Sequence, residues 1–560
     1  MKKLIFILSI FLLNSSAKAG GVLLLVGQGG GACTYDTIQD AINDATPNSE
    51  IRVSNEITYF ENLQINKSLT IKGGYDDCEQ AQLDNRLDDN RTIIDADLIT
   101  NSVVLISVSP VEFNMSGFTL INGSSLYPDI PLGGAVSIMT EDSTINFEQM
   151  NITNNSGVVG GGIYLGGTGN DLVLSNTVIN NNFANIGGGV YCINGTVSLN
   201  NNSGIYQNQA FDFKAPGNGG GIYGDNCAIS LRSGEGGTAD LYSVGISNNS
   251  AESLGGGIYV SDGYIVPSGY MGIINIDHNT AIDGGGVYMT NGARITLGRM
   301  FFANNTASGN GGALFMDNSQ YNMNSTNLGF DICLINEQLI ECNLFINNRA
   351  TGGGFNLGGA IYMQNNSGGQ GVNHSLRAKF INNRADGAAA IAVYSGSTLN
   401  LQNSYFIGNG NNGDDETDDF NVIRVNGAGS EIDVSFSTFA NNLNSYVFAL
   451  INNGQARLNK SIVYEDAVSN EVVSPTDSAL FNFGCSLFHE GLTPGPFPGI
   501  NNSLITTNPG FVNPALDNYH LRFDSPAIDR CNLSGLSADV EIRMDFDADE
   551  RPIDIPDVSN

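Results

Sequence analysis

The strongest constraint on this chain is a glycine phrase written nine times. "DGGGVYMTNG" (283–292) is one copy, and the units begin at Gly133, Gly160, Gly187, Gly219, Gly255, Gly284, Gly311, Gly358 and Ala388. Their spacing runs from 27 to 47 residues and is mostly near 30. A period of that size, held over roughly 250 residues, means a solenoid or a propeller. Propeller blades need about 40 or more residues and four strands each, which most of these intervals cannot supply. Helical repeats need a Leu/Ala-rich period of about 3.6, whereas Gly, Asn, Ser and β-branched residues dominate here. The remaining choice is a β-solenoid with one coil per unit.

Alignment within the unit supports this. The fourth position reads Val136, Ile163, Val190, Ile222, Ile258, Val287, Leu314, Ile361 and Ile391, aliphatic every time. The sixth is apolar except for Gly224. Residues two apart on a strand share a face, so positions four and six point into the coil. An Asn recurs before each glycine unit, two residues ahead of a small residue: Asn155, Asn182, Asn208, Asn249, Asn279, Asn305, Asn348 and Asn383, with Asn409 and Asn442 continuing more loosely. Stacked Asn side chains can hydrogen-bond along a ladder at the ~4.8 Å strand spacing. Glycine then has a definite job. It supplies positive φ at a sharp turn and omits a Cβ that would strike the same turn in the next coil.

These repeats resemble a known family. "GGAV" (133–136), "GGAL" (311–314) and "GGAI" (358–361), with Phe-x-x-Asn at Phe302–Asn305, Phe345–Asn348, Phe380–Asn383, Phe406–Asn409 and Phe439–Asn442, look like the paired repeats of polymorphic outer-membrane proteins. The resemblance covers roughly residues 130–445. It implies a right-handed parallel β-helix displayed on a bacterial surface.

A solenoid needs caps over its open ends. In "TIQDAINDA", Ile38, Ala41, Ile42 and Ala45 fall at i, i+3, i+4 and i+7, an amphipathic helix stopped by Pro47. A helix followed by alternating strands resembles the opening of pectin-lyase-like β-helices. At the other end, Asn508-Pro509-Gly510-Phe511, Tyr519-x-Leu521, Ser525 to Asp529 and Asp547 to Pro552 resemble the "choice-of-anchor Q" region. The expected organisation is a signal peptide over 1–19, an N-terminal cap over 20–50, the β-helix over 51–480 and the anchor-Q-like region over 481–560. The fold class expected is all-β, a right-handed parallel β-helix with an N-terminal capping helix.

Residues 1–19 read as an export signal. Lys2 and Lys3 precede the apolar "LIFILSIFLL", and Ala17-Lys18-Ala19 forms a cleavage site. The apolar run is too short to span a bilayer, and no later segment reads as a transmembrane helix. Cleavage removes three of the 23 basic side chains and none of the 56 acidic ones, taking the formal charge from −33 to −36. Such a field repels nucleic acid, anionic membranes and polyuronates. No anchoring tail follows Asn560, so the expectation is a secreted or outer-membrane-associated bacterial protein whose mode of attachment stays open. Eight cysteines in an exported chain imply disulfides. Spacing favours Cys33–Cys78 and Cys333–Cys342, and Cys192–Cys227 and Cys485–Cys531 follow by elimination.

Catalytic signals are sparse. None of His278, His374, His489 and His520 sits in a partner motif, and His278 replaces an Asn in a turn. Asp76-Asp77 lies in the cap. "NNGDDETDD" (411–419) lacks the spacing and glycine of an EF-hand and reads as a solvated insertion. Asp545, Asp547 and Asp549 have the alternation of some calcium loops. No cofactor is implied; the acidic surface offers oxygen ligands to cations, and calcium would also reduce its self-repulsion. "GQGGGA" (27–32) matches a dinucleotide fingerprint only on paper, since no βαβ unit follows.

The fifth repeat position holds the candidate binding surface. It reads Ser137, Tyr164, Tyr191, Tyr223, Tyr259, Tyr288, Phe315, Tyr362 and Ala392. With positions four and six inward, the fifth faces out, giving a stripe of stacked aromatics that binds a glycan or protein partner or else simply stabilises the sheet. The leading reading is a non-catalytic, adhesin-like scaffold binding along this lateral sheet. The alternatives are a polysaccharide lyase or glycoside hydrolase of the pectin-lyase superfamily, and a structural spacer.

Overall fold

The computed structural model describes residues 20–527 apart from 29–30, 88–90, 98–100, 126–132, 212–215, 233–243, 269–273, 324–342, 353–354, 370–374, 411–420, 443–445, 466–471, 475–480, 490–491, 493–503, 507 and 515–517. The chain winds as a right-handed parallel β-helix, and a full coil contributes one strand to each of four faces. In one coil these strands are Ile163–Gly166, Asp171–Ser175, Val178–Asn180 and Phe183–Ile186. We name the faces in that order the tyrosine sheet, the long sheet, the phenylalanine sheet and the short ladder. Among the described residues they hold 13, 17, 16 and 9 strands, so the stack is about 70 Å long at ~4.8 Å per coil.

Register follows the glycine phrase. Ile163 pairs with Val190, Val190 with Ile222, and Ile222 with Ile258, all parallel and all fully buried. The aliphatic fourth position is therefore a single interior column. Gly160, Gly187, Gly219, Gly255, Gly284, Gly311 and Gly358 all have φ between 62° and 68°. A Cβ on Gly256, the middle glycine of its unit, would lie 2.4 Å from the Thr280 carbonyl oxygen and 2.5 Å from that of Gly285 in the next coil. Turn and stack together exclude a side chain there.

The asparagine column joins the phenylalanine sheet to the short ladder. Each amide oxygen accepts two bonds from the preceding coil: Asn305 Oδ1 receives the Asn279 backbone N–H and Nδ2, both at 3.1 Å. Each Nδ2 also donates back to a carbonyl, in this case that of Ile276 at 2.8 Å. The pattern runs unbroken from Asn155 to Asn442, beyond the glycine units themselves. At its start Asn155 accepts the Gly123 N–H, and at its end the buried Glu465 carboxylate accepts both Asn442 donors at 2.8 and 2.5 Å. The residue before each ladder Asn has positive φ, and His278 takes that place at φ 54°.

Two further interior devices explain irregular residues. Phe302, Phe345, Phe380, Phe406 and Phe439 stack face to face inside the coil, with centroids 4.5 to 5.0 Å apart. Gly224, the exception in the sixth position, pairs with Cys192, and its missing side chain leaves room for Cys227 to bond Cys192 across the coil. The second disulfide, Cys33–Cys78, passes over Gly27, where a Cβ would lie 2.6 Å from Cys78 Sγ. The "GQGGGA" glycine is thus a space for a disulfide. Cys485 is also disulfide-bonded. Cys531, expected as its partner, and the expected Cys333–Cys342 pair lie outside the described residues, as do residues 1–19.

A strand, Leu23–Val26, pairs with Ser49–Ser54 before and after the capping helix α1 (Ile38–Asp44). Ile38, Ala41 and Ile42 are fully buried over the first coil. The first coil also grips both helix ends. Glu61 accepts the N–H groups of Ile38 and Gln39, and Lys67 donates to the carbonyls of Ile42, Asn43 and Ala45. An anion at the N-terminus and a cation at the C-terminus complement the helix dipole. A second helix, α2 (Cys78–Leu83), is capped by Asp77, whose carboxylate accepts the Gln80 N–H. No helix among the described residues is long and apolar enough to cross a membrane.

The asparagine ladder gives a direct test. Asn305→Ala orphans two buried donors on Asn279 and the Ile276 carbonyl, so it should cost about 4 kcal/mol at 1–3 kcal/mol per orphaned group. Chemical denaturation measures this as a lowered midpoint. A loss under about 1 kcal/mol would mean the amide column is ornamental.

Candidate functional site

The tyrosine sheet gathers the candidate binding residues into one line. Tyr164 pairs in register with Tyr191, Tyr191 with Tyr223, Tyr223 with Tyr259, and Tyr259 with Tyr288. The stripe then passes through Phe315 to Tyr362. Ring centroids are 4.7 to 5.6 Å apart, and the rings from Tyr164 to Phe315 lie within 22° of parallel. Tyr394 extends the stack one coil further, 5.4 Å from Tyr362. It stands two residues after Ala392 on its strand, a side step that the fixed fifth-position alignment does not find.

This geometry decides what the stripe can offer. Each ring inside the stack uses both faces against its neighbours and the end rings Tyr164 and Tyr394 use one, so the row offers mainly edges and hydroxyls. Tyr164 through Tyr259 are half-buried, whereas Tyr288 and Tyr362 are only 8% and 7% exposed, with Leu254 and Leu357 packed beside them. Sugar recognition by aromatic stacking needs a free ring face. Hydrogen bonding to a row of phenols at the strand spacing does not.

Burial raises the pKa of every phenol in the row. Desolvation is the main cause at Tyr164, Tyr191, Tyr223, Tyr259, Tyr288, Tyr362 and Tyr394. At Tyr223, Tyr288 and Tyr362 the value is pushed far above that of a free phenol, with adjacent tyrosines and Asp225, Asp283 or Asp317 adding repulsion. Asp283 is itself raised by burial, against a hydrogen bond from the Asn310 N–H at 2.7 Å. The row is a set of neutral donors.

The remaining candidates do not converge on it. His278 is an exposed turn residue with Nδ1 2.7 Å from the Asp277 carboxylate. His489 meets the Glu465 carbonyl and packs on Tyr464. His520 lies on the strand Asn518–Leu521 of a C-terminal hairpin, whose Phe511 and Tyr519 pack beside Ile407 and Ala440 on the phenylalanine sheet. His374, the acidic segment 411–419 and the calcium candidates Asp545, Asp547 and Asp549 lie outside the described residues. Among the described residues no group of three or more His, Cys, Asp or Glu is placed to hold a metal ion. A shallow hollow of about 400 Å³ on the long sheet is lined by Ser68, Pro110, Val111, Glu112, Asp142 and Thr144.

One group was not flagged by the repeat. Arg424 occupies the outward position of Ile423-Arg424-Val425, the coil after Ile391-Ala392-Val393, and pairs in register with Ala392. Its guanidinium lies over the Phe355 ring, with Cζ 4.7 Å from the centroid. The coil lacks a glycine phrase, so only the matching Ile-x-Val pattern marks it.

No protein-family model matches the chain, and no curated protein does. Among solved structures, the deglycosylated pectin methylesterase of Aspergillus niger is similar at 15% identity over 48% of this chain and 85% of its own, with a TM-score of 0.20. The DFA-IIIase of Arthrobacter chlorophenolicus A6 without its lid is similar at 11% identity over 80% and 91% respectively, with a TM-score of 0.23. The parallel sheets themselves establish the fold, and these likenesses carry nothing about activity.

The raised phenols predict an alkaline transition. A folded-state value above that of the unfolded chain means the contribution to stability is whole below the unfolded phenol value of about 10 and is lost as pH climbs through the folded values. Above pH ~10 the ladder tyrosines should ionise together with loss of β-sheet signal. Tyrosinate absorbance rising to completion while circular dichroism stays unchanged would contradict this.

Proposed function

We propose that this protein is an exported, non-catalytic β-helix scaffold that docks a protein partner along its tyrosine sheet. The observation that carries the reading is the half-buried row Tyr164, Tyr191, Tyr223 and Tyr259, which presents hydroxyls and ring edges on a rigid lattice. Tyrosine at low entropic cost is favoured at protein interfaces. Occupied ring faces disfavour a glycan as the main ligand. The resemblance of the repeats to polymorphic outer-membrane proteins supports display at a bacterial surface. The disulfides Cys33–Cys78 and Cys192–Cys227 support maturation in an oxidising compartment. The strongly acidic surface favours partners that are not polyanions.

The variant Tyr191→Phe/Tyr223→Phe/Tyr259→Phe keeps the stack and removes three hydroxyls, so it separates binding from stability. Surface-protein partners would be sought with the wild type, and their affinities measured against the variant. A tenfold or greater loss with an unchanged melting temperature is expected. Equal affinity would sink the docking surface. Cleavage of neutral glycans or polyuronates by the wild type would replace the scaffold reading with an enzymatic one.

A further inference from the structure

We propose that Arg424 anchors a carboxylate of the docked partner at the C-terminal end of the tyrosine stack, with Phe355 as the side chain that the ligand displaces. The inference rests on the docking reading above and deepens it.

Arg424 stands on the strand Asn421–Asn426, in register with Ala392 on one side and Ala449 on the other. Neither alanine carries a polar side chain that could meet a guanidinium. Instead the group lies under Phe355, whose ring is seated on Gly387. A Cβ there would come within 2.6 Å of Phe355 Cζ. Nε and Nη1 of Arg424 are shut off from solvent and have no acceptor among the described residues.

That arrangement is chemically incomplete. A guanidinium is always charged and carries five N–H donors in a planar fork. Attraction to an aromatic face offsets part of the charge but satisfies no N–H. Buried donors left unmade weigh against the folded state. The chain has 56 acidic side chains, yet among the described residues none pairs with this arginine. The matching group is planar and anionic, a carboxylate gripped through Nη2 together with Nε or Nη1. Phe355, 46% exposed, can give way, because little of the protein packs over its outer side.

The position fits a docked chain. Tyr394, the last ring of the stack, lies close enough to feel the charge of Arg424, and its hydroxyl bonds Asn426 on the same strand as the arginine. A polypeptide reaching this end of the stack would meet the half-buried Tyr394 beside one cation. The ligand is therefore an Asp or Glu side chain of a polypeptide.

The test uses the full chain labelled with [15N]arginine and titrated with N-acetylglutamate α-amide at constant ionic strength. The Arg424 Nε–H signal, assigned by its loss in Arg424→Gln, should shift saturably. Phe355→Ala should tighten binding at least threefold by uncovering the donors. No saturable shift of that signal in either the wild type or Phe355→Ala would overturn the proposal. Glucuronate binding tenfold more tightly than the glutamate amide would overturn the polypeptide source. The titration needs no partner. Its failure with tyrosine-dependent partner binding intact therefore removes only the Arg424 anchor, and the reverse result removes only the docking surface.

Discussion

The asparagine column is the interaction on which the stacked structure depends. Every coil must reverse direction between the phenylalanine sheet and the short ladder, and the turn leaves backbone groups that water cannot reach. Asn satisfies them because one amide can accept and donate at once. Asn305 takes two donors from the coil before and gives to a carbonyl there and to the coil after. The aligned amides polarise one another and make the column directional, with carbonyls pointing to its start and N–H groups to its end. The Glu465 carboxylate, buried against the last two donors, is an electrostatically suitable stop. A neutral side chain could accept those bonds but would not answer the accumulated positive end.

Two aromatic stacks use the same spacing to opposite ends. The phenylalanines fill the interior, where dispersion and exclusion of water are all that is needed. The tyrosines run along the outside, and the strand spacing that aligns them also consumes their faces. Stacking takes the ring faces and leaves the hydroxyls. The same burial that strengthens the row keeps its phenols protonated.

Departures from the repeat are where this structure does something particular. Gly224 breaks the apolar sixth column to admit a disulfide, and Gly27 breaks a strand end for the same reason. Arg424 breaks the outward column one coil after Ala392 and lies over the Phe355 ring.

The sequence by itself determined the coil, its register and its inward faces. A period-two pattern beside a fixed glycine turn has one way to stack, so Ile163, Val190 and Ile222 fall in one buried column. The capping helix was legible from Ile38, Ala41 and Ile42, the disulfide Cys33–Cys78 from cysteine spacing, and Cys192–Cys227 by elimination. The tertiary structure alone decided how each outward side chain is used. Tyr394 joins the stack from a different strand position, Phe355 reaches Arg424 from an earlier coil, and Glu465 closes the amide column from beyond the glycine repeats. Those contacts join residues 23 to 69 positions apart whose spacing follows no period, because loop paths between coils set them rather than the alternation of a strand.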